Sequence, residues 1–167
     1  MFTTINEFKL YLEQFQLIPD LRLVNNNIEY KDYTNINWED IELIEASDDG
    51  NTIIHLDVKL PGDDKICEGI VLDIQLINDE LYHPHISIAE NLQKQGLVYK
   101  VYLKFIHEFG HRYSTQSRVT NKIVINSINN KLSNTPDIDY FKTNTGGEIW
   151  ILKTNPDYDY LINKYVK

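Results

Sequence analysis

The stretch Ile86-Ser87-Ile88-Ala89-Glu90-Asn91-Leu92-Gln93-Lys94-Gln95-Gly96-Leu97-Val98-Tyr99-Lys100-Val101-Tyr102 decides how this chain is read. It opens as the end of a strand, with Ile86 and Ile88 on one face and Ser87 and Ala89 on the other. Gln93, Lys94, Gln95 and Gly96 follow. Beyond them Leu97, Val98, Val101, Tyr102, Phe105, Ile106, Phe109 and Tyr113 recur at helical spacing in one broad apolar arc. A strand that ends in a short polar loop at a helix start gathers unpaired backbone N–H groups and the positive end of a helix dipole. Such a point takes a phosphate or pyrophosphate, and Gly96 lets the anion approach the backbone closely.

Working outward, Ile54, Leu56, Val58 and Leu60 alternate with His55, Asp57 and Lys59, the pattern of a half-buried strand. A turn at Pro61-Gly62-Asp63-Asp64 leads to a partner strand expected over Ile66 to Ile77, and a turn at Asn78-Asp79 to a third over Leu81 to Ala89. Three consecutive antiparallel strands result. Further upstream, Thr4-Ile5-Asn6-Glu7 is a capping box that starts a helix carrying Ile5, Phe8, Leu12 and Phe15, ended by Pro19. From Arg22 to Ala46 no single period rules, and Trp38 to Ala46 fits a short helix or a strand.

Downstream, the helix that begins near Gly96 is expected to reach about Tyr113. A second, from Thr120 or Asn121, carries Ile125, Ile128 and Leu132. Ile138 to Lys142 and Glu148 to Leu152 flank Asn144-Thr145-Gly146-Gly147 as a hairpin. Asn155-Pro156-Asp157 starts a last helix with Tyr158, Leu161, Ile162 and Tyr165 on one side. The expected fold is a mixed α/β (α+β) domain spanning residues 1–167, a central, mostly antiparallel sheet flanked by helices.

Composition sets the outer bounds. The chain has 167 residues, 42% of them hydrophobic, which suits one domain with a real core. Its 25 acidic and 16 basic side chains leave a formal charge of −9. That balance argues against nucleic acid or an anionic membrane as partner, where basic surface supplies the affinity. One cysteine, Cys67, leaves no internal disulfide and no CxxC zinc knuckle. The N-terminal stretch has neither the basic nor the apolar region of a signal peptide, and Ile66 to Ile77 is too short and too charged to span a bilayer. A cytoplasmic protein is expected.

A second motif competes for attention. His107-Glu108-Phe109-Gly110-His111 is a literal HExxH, the spacing that puts two zinc-ligating imidazoles and a general-base glutamate on one helix face. On a helical projection, however, His107 and His111 fall opposite the apolar arc, in one stripe with Lys100 and Lys104. That stripe is expected to face solvent. Metal-ligating histidines need a partly buried cleft with supporting partners, and no third ligand follows, so no metal is expected. A zinc peptidase using His107, Glu108 and His111 stands as the alternative.

The run ISIAENLQKQGLVYKVY resembles the acetyl-coenzyme A signature of the GNAT superfamily of N-acetyltransferases. Their pattern is an apolar strand, then Gln/Arg-x-x-Gly-x-Gly/Ala entering a helix. Gln93, Gly96 and Val98 stand at the three key positions. Val98 departs from the pattern, where Gly or Ala is usual. The resemblance covers roughly Thr52 to Lys153: three antiparallel strands, the motif helix, a second helix and a closing hairpin in the family's order. Thr120-Asn121 and Lys131-Leu132 resemble the family's T-N … K-L segment, with Asn129 where many members carry a catalytic tyrosine.

The resemblance implies acetyl transfer from acetyl-CoA to an amine acceptor, a small molecule or a protein lysine. It places backbone groups of Ile86, Ser87 and Ile88 against the pantetheine arm and the thioester carbonyl. It places the amides of Gln93, Lys94, Gln95, Gly96, Leu97 and Val98 around the pyrophosphate. The proton that the amine must lose needs a base. His85, on the same strand face as His83 and Ser87, and Asp73 are the catalytic candidates, with Glu68 and His83 behind them. An acidic surface suits a cationic acceptor such as a polyamine, an aminoglycoside or a lysine side chain. Val98 and Asn129 also fit a GNAT-shaped binding or structural protein that has lost catalysis.

Overall fold

The alternation between Ile53 and Ile88 is realised as three hydrogen-bonded strands in the computed structural model. It describes residues 31–48, 53–77, 81–109, 114–117, 130–132, 134–146 and 148–167. Seven strands are formed: β1 (Glu42–Asp48), β2 (Ile53–Lys59), β3 (Ile70–Ile77), β4 (Leu81–Ile88), β5 (Ser114–Ser117), β6 (Ile138–Lys142) and β7 (Glu148–Leu152). They make one sheet in the order β1-β2-β3-β4-β5-β7-β6. Every neighbouring pair is antiparallel except β4 and β5, which run parallel.

Two helices of more than one turn stand among the described residues: α1 (Leu97–Phe109), between β4 and β5, and α2 (Tyr158–Tyr165), after β7. The α1 arc packs Leu97, Val101, Phe105 and Ile106 against Leu56, Val58, Leu72, Ile74, Trp150 and Leu152 of the sheet. Each such side chain, once buried, contributes about 1.5–3 kcal/mol by leaving water. On the other face, Ile149 and Ile151 are covered by Leu161 of α2, with Tyr158, Ile162 and Tyr165 beside it. That is the face expected of the last helix. It opens with Asn155 Oδ1 accepting from the Asp157 N–H at 2.8 Å. Among the described residues no helix is long and apolar enough to cross a membrane.

The mixed α/β class and the closing hairpin follow the sequence pattern, and four details differ from it. The ambiguous stretch resolves into a single 3-10 turn, Trp38–Asp40, followed by β1. The strand expected from Ile66 begins only at Ile70. Ile66 is 42% exposed, and the Cys67 N–H is spent on the Val58 carbonyl at 2.8 Å, which holds residues 61–69 as a wide loop. β5 was not expected at all, because Ser-Thr-Gln-Ser shows no apolar alternation. The fourth difference concerns α1. The expected extension to Tyr113, the N-terminal helix and the segment from Thr120 to Asn129 lie outside the described residues.

The α1 stripe expected to face solvent is the dock for residues 31–40. Lys100 Nζ donates to the Thr34 carbonyl at 2.7 Å, and Lys104 Nζ to the Glu39 carbonyl at 2.9 Å. The His107 ring lies against Trp38, 4.5 Å between centroids. Leu103, outside the predicted arc, is accordingly buried. The physical reason is that the lysines bond backbone carbonyls of a distant segment, and such partners leave no trace in a hydropathy pattern.

Candidate functional site

β4 reaches the site from a fully paired position on one side only. Its β3 edge is in register from Leu81↔Ile77 to Ile88↔Ile70 without interruption. Its β5 edge has two register pairs, Leu81↔Ser114 and Tyr82↔Thr115, and then stops. β5 meanwhile continues its pairing with β7 through Ser117. Among the described residues, the pairing of the two parallel strands ends at Tyr82. From His83 to Ile88, β4 presents one edge with no strand partner among the described residues. Such an edge is a row of backbone donors and acceptors ready for an extended ligand.

The open edge runs straight into the loop and helix. The Ala89 N–H is anchored on the Gly69 carbonyl at 2.8 Å, and Glu90–Leu92 form one 3-10 turn. Lys94 and Gly96 then both take positive φ, 63° and 74°. The first α-helical bond of α1 is from the Lys100 N–H to the Gly96 carbonyl at 3.1 Å. The amides of Leu97, Val98 and Tyr99 thus stand at the helix start with no backbone partner among the described residues. A Cβ on Gly96 would meet no atom of the described residues within 4 Å. It is the positive φ that calls for glycine here.

Side chains of the motif hold the loop in shape. Gln93 Nε2 donates to the Ile88 carbonyl at 3.0 Å, closing the loop back on the end of β4. Gln95 is 7% exposed. Its Oε1 accepts from the Tyr33 N–H at 2.5 Å and its Nε2 donates to the Lys31 carbonyl at 3.0 Å. Val98 packs against the main core cluster, so its bulk is directed inward rather than into the loop mouth. Lys94 is exposed, and Lys131 sets its ammonium 5.4 Å from the centre of the Tyr99 ring, on the first turn of α1. These lysines supply positive charge at this point of an acidic protein.

The segment clamped by Gln95 has its own anchor. Tyr33 Oη donates to Asp63 Oδ2 at 2.7 Å, and the Lys31 ammonium pairs with the same carboxylate. Burial pushes the Tyr33 hydroxyl well above its usual range, and the hydrogen bond to Asp63 adds to it. Burial would raise the Asp63 carboxyl, but the bonds from Lys31 and Tyr33 outweigh it and hold it below the ordinary carboxylate value. Burial likewise raises the thiol of Cys67, a buried free cysteine.

The two catalytic candidates stand side by side on the sheet face away from α1. Asp73 and His85 are register partners, and side chains so paired start about 4.5–5.5 Å apart at Cβ. His85 Nε2 lies 3.3 Å from Ser87 Oγ on the same strand. Asp73 is engaged from the other side by a residue that sequence reasoning passed over: His55 Nδ1 bonds Asp73 Oδ1, across a second register pair. His55, Asp73 and His85 thus form one row across β2, β3 and β4. The only sequence signal for it was the shared polar parity of the three strands. Glu68 lies in the wide loop before β3, outside this row.

Of the HExxH motif, His107 and Glu108 lie among the described residues, and each is engaged by other side chains. His107 Nδ1 donates to the Leu103 carbonyl at 2.8 Å, and Nε2 faces Asp137 Oδ2 at 2.5 Å. Both ring nitrogens are occupied, and the ring lies tilted against Trp38. Glu108 is exposed and pairs with Lys104 at 3.5 Å. His111 lies outside the described residues. Among these residues no group of three or more His, Cys, Asp or Glu side chains is placed to hold a metal ion. Compared with known proteins, the chain matches no family model and no curated protein.

Proposed function

We propose that this chain is an N-acetyltransferase of GNAT type, moving an acetyl group from acetyl-CoA to an amine acceptor. The observation that carries the reading is that β4 has no strand partner on its β5 side beyond Tyr82 among the described residues, and that this stretch leads into the N-terminus of α1. A pantetheine arm is an extended chain of amides and needs an unpaired strand edge. A pyrophosphate needs partnerless N–H groups at a helix end. Here the two lie in sequence along one path, from His83 through Val98. The order of elements supports a GNAT-like fold for the same reason, and acetyl-CoA as donor suits a cytoplasmic protein.

Each part of the chain then has a task. Backbone groups of Ile86 to Ile88 hold the pantetheine arm, and one N–H on this edge polarises the thioester carbonyl. The amides from Lys94 to Val98 hold the pyrophosphate, with Lys94 adding charge. When bound, acetyl-CoA supplies an acyl group activated as a thioester. His85 and Asp73, on the strand that carries the edge and on its neighbour, stand on the acceptor side.

A thermal-shift titration tests the reading. Acetyl-CoA at a hundred times its Kd should stabilise the protein by about 2.7 kcal/mol, about 5–10 °C in Tm for a chain of this size. A flat response at millimolar acetyl-CoA would overturn it. Binding without turnover on any amine would leave the GNAT-shaped binding protein as the reading.

A further inference from the structure

Gln95 stands between the two residues of positive φ in the loop before α1, Lys94 at 63° and Gly96 at 74°. Its side chain is buried, and both ends of its amide bond one distant segment. Oε1 accepts from the Tyr33 N–H at 2.5 Å, and Nε2 donates to the Lys31 carbonyl at 3.0 Å. Gln93, two residues earlier, ties the other side of the loop to the Ile88 carbonyl at the end of β4. Lys94 is the only non-glycine residue of positive φ among the described residues. Such a conformation persists only where the surroundings impose it. Here two glutamine clamps flank it, one to β4 and one to residues 31–33.

That segment is itself fixed from two directions. Tyr33 Oη and the Lys31 ammonium both bond the Asp63 carboxylate, and the Asp63 N–H is held by the Leu60 carbonyl at 3.1 Å. From α1, Lys100 Nζ donates to the Thr34 carbonyl at 2.7 Å. A line of bonds thus runs from Asp63 through residues 31–33 and Gln95 into the loop. We propose that Gln95 is a positioning residue for the cofactor; the proposal rests on the acetyltransferase reading above. The side chain is spent on residues 31 and 33, so its task is to shape the loop and not to touch the ligand. It holds the amides from Lys94 to Val98 in the arrangement that a pyrophosphate needs. Docking of residues 31–34 and binding of the cofactor then strengthen each other by the same factor. A tie that served folding alone would cost stability when cut and leave the affinity of the folded protein unchanged.

The test uses the full chain, with acetyl-CoA affinity measured by calorimetry and circular dichroism as the check on folding. Gln95→Met, of similar length but without the amide, should weaken acetyl-CoA about tenfold. Asp63→Asn, which acts through Lys31 and Tyr33, should weaken it about fivefold. Neutralising a carboxylate by itself favours an anionic ligand, so weaker binding there reports the lost anchor. In the Gln95→Met background the same Asp63→Asn change should add almost nothing, as for two members of one chain of contacts. Tyr158→Phe cuts a hydroxyl–carboxylate bond of the same kind, to Asp139 on the other face of the sheet, and should leave the affinity unchanged. In the wild type, acetyl-CoA should slow hydrogen exchange at the Tyr33 amide. Wild-type affinity in folded Gln95→Met, or losses that simply add in the double variant, overturns the proposal and leaves the acetyltransferase reading standing. Should Gln95→Met fail to fold, undiminished affinity in Asp63→Asn together with unchanged exchange at Tyr33 overturns it. Absence of acetyl-CoA binding to the wild-type chain overturns both.

Discussion

The two edges of β4 make the most instructive contrast in the molecule. Toward β3 the strand is paired from Leu81 to Ile88, and Ile74 opposite Pro84 is fully buried. Toward β5 the pairing ends at Tyr82, and the remainder of the edge runs on into the loop of Lys94 and Gly96. Among the described residues, the same backbone is thus spent on strand pairing on one side and has no strand partner on the other beyond Tyr82. A sheet that uses every edge bond for folding has none to offer a ligand. Among the described residues, this seven-stranded sheet leaves β4 without a strand partner on its β5 side beyond Tyr82.

If the contrast is right, substitutions on the two sides must separate stability from binding. The largest effect belongs to the paired side. Ile74→Ala, at a position with no solvent exposure, should cost about 2–5 kcal/mol in urea unfolding. A loss below about 1 kcal/mol would mean that the β3–β4 pair is not central to the fold.

Gly96→Glu comes next and acts on the open side. It should abolish the thermal shift by acetyl-CoA, while the positive φ of 74° costs the free protein about 1–2 kcal/mol for any side chain. Gly96→Ala carries the same backbone strain without the charge and should keep part of the shift. An equal loss in both variants would blame the backbone, not the repulsion of a phosphate. Lys94→Glu, on an exposed residue, should weaken CoA about tenfold, or 1.4 kcal/mol, and less so at high salt. The same reversal at exposed Lys142, on β6, should leave affinity unchanged in calorimetry.

The smallest effect concerns the anchor of residues 31–40. The Asp63 carboxyl is lowered in the folded protein by Lys31 and Tyr33. Its stabilisation is therefore full above the unfolded carboxylate pKa and is lost as pH falls through the lowered folded value. A Tm series from about pH 5 down to about pH 2 should fall less steeply in Asp63→Asn than in the wild type. Parallel curves would show that the pair contributes nothing.

The legible parts of the fold were those with a period. β2 followed from the alternation of Leu56 and Val58 with His55 and Asp57, the hairpin from Asn144-Thr145-Gly146-Gly147, and α1 and α2 from their apolar arcs. What escaped lacked a local cause. β5 is four polar residues made into a strand by its insertion between β4 and β7. The α1 stripe read as solvated because its partners are the carbonyls of Thr34 and Glu39, more than sixty residues away in sequence. Within the candidate site, the turn that leads into α1, with Gly96 in it, was legible from the sequence. His55 was not, because the ten-residue connection 60–69 between β2 and β3 hides the register that sets it beside Asp73. The parting of β4 and β5 was equally hidden, since it is a property of two strands and appears in neither alone.

Amide hydrogen exchange by NMR, with and without acetyl-CoA, reads the two edges of β4 separately. The account predicts that acetyl-CoA slows exchange at the amides between His83 and Ile88 that do not face β3, and at those from Lys94 to Val98. The β4 amides bonded to β3 should stay as slow as they are in the free protein. Unchanged exchange along the open edge at saturating acetyl-CoA, or protection confined to some other part of the chain, would contradict the claim that this edge is the cofactor's seat.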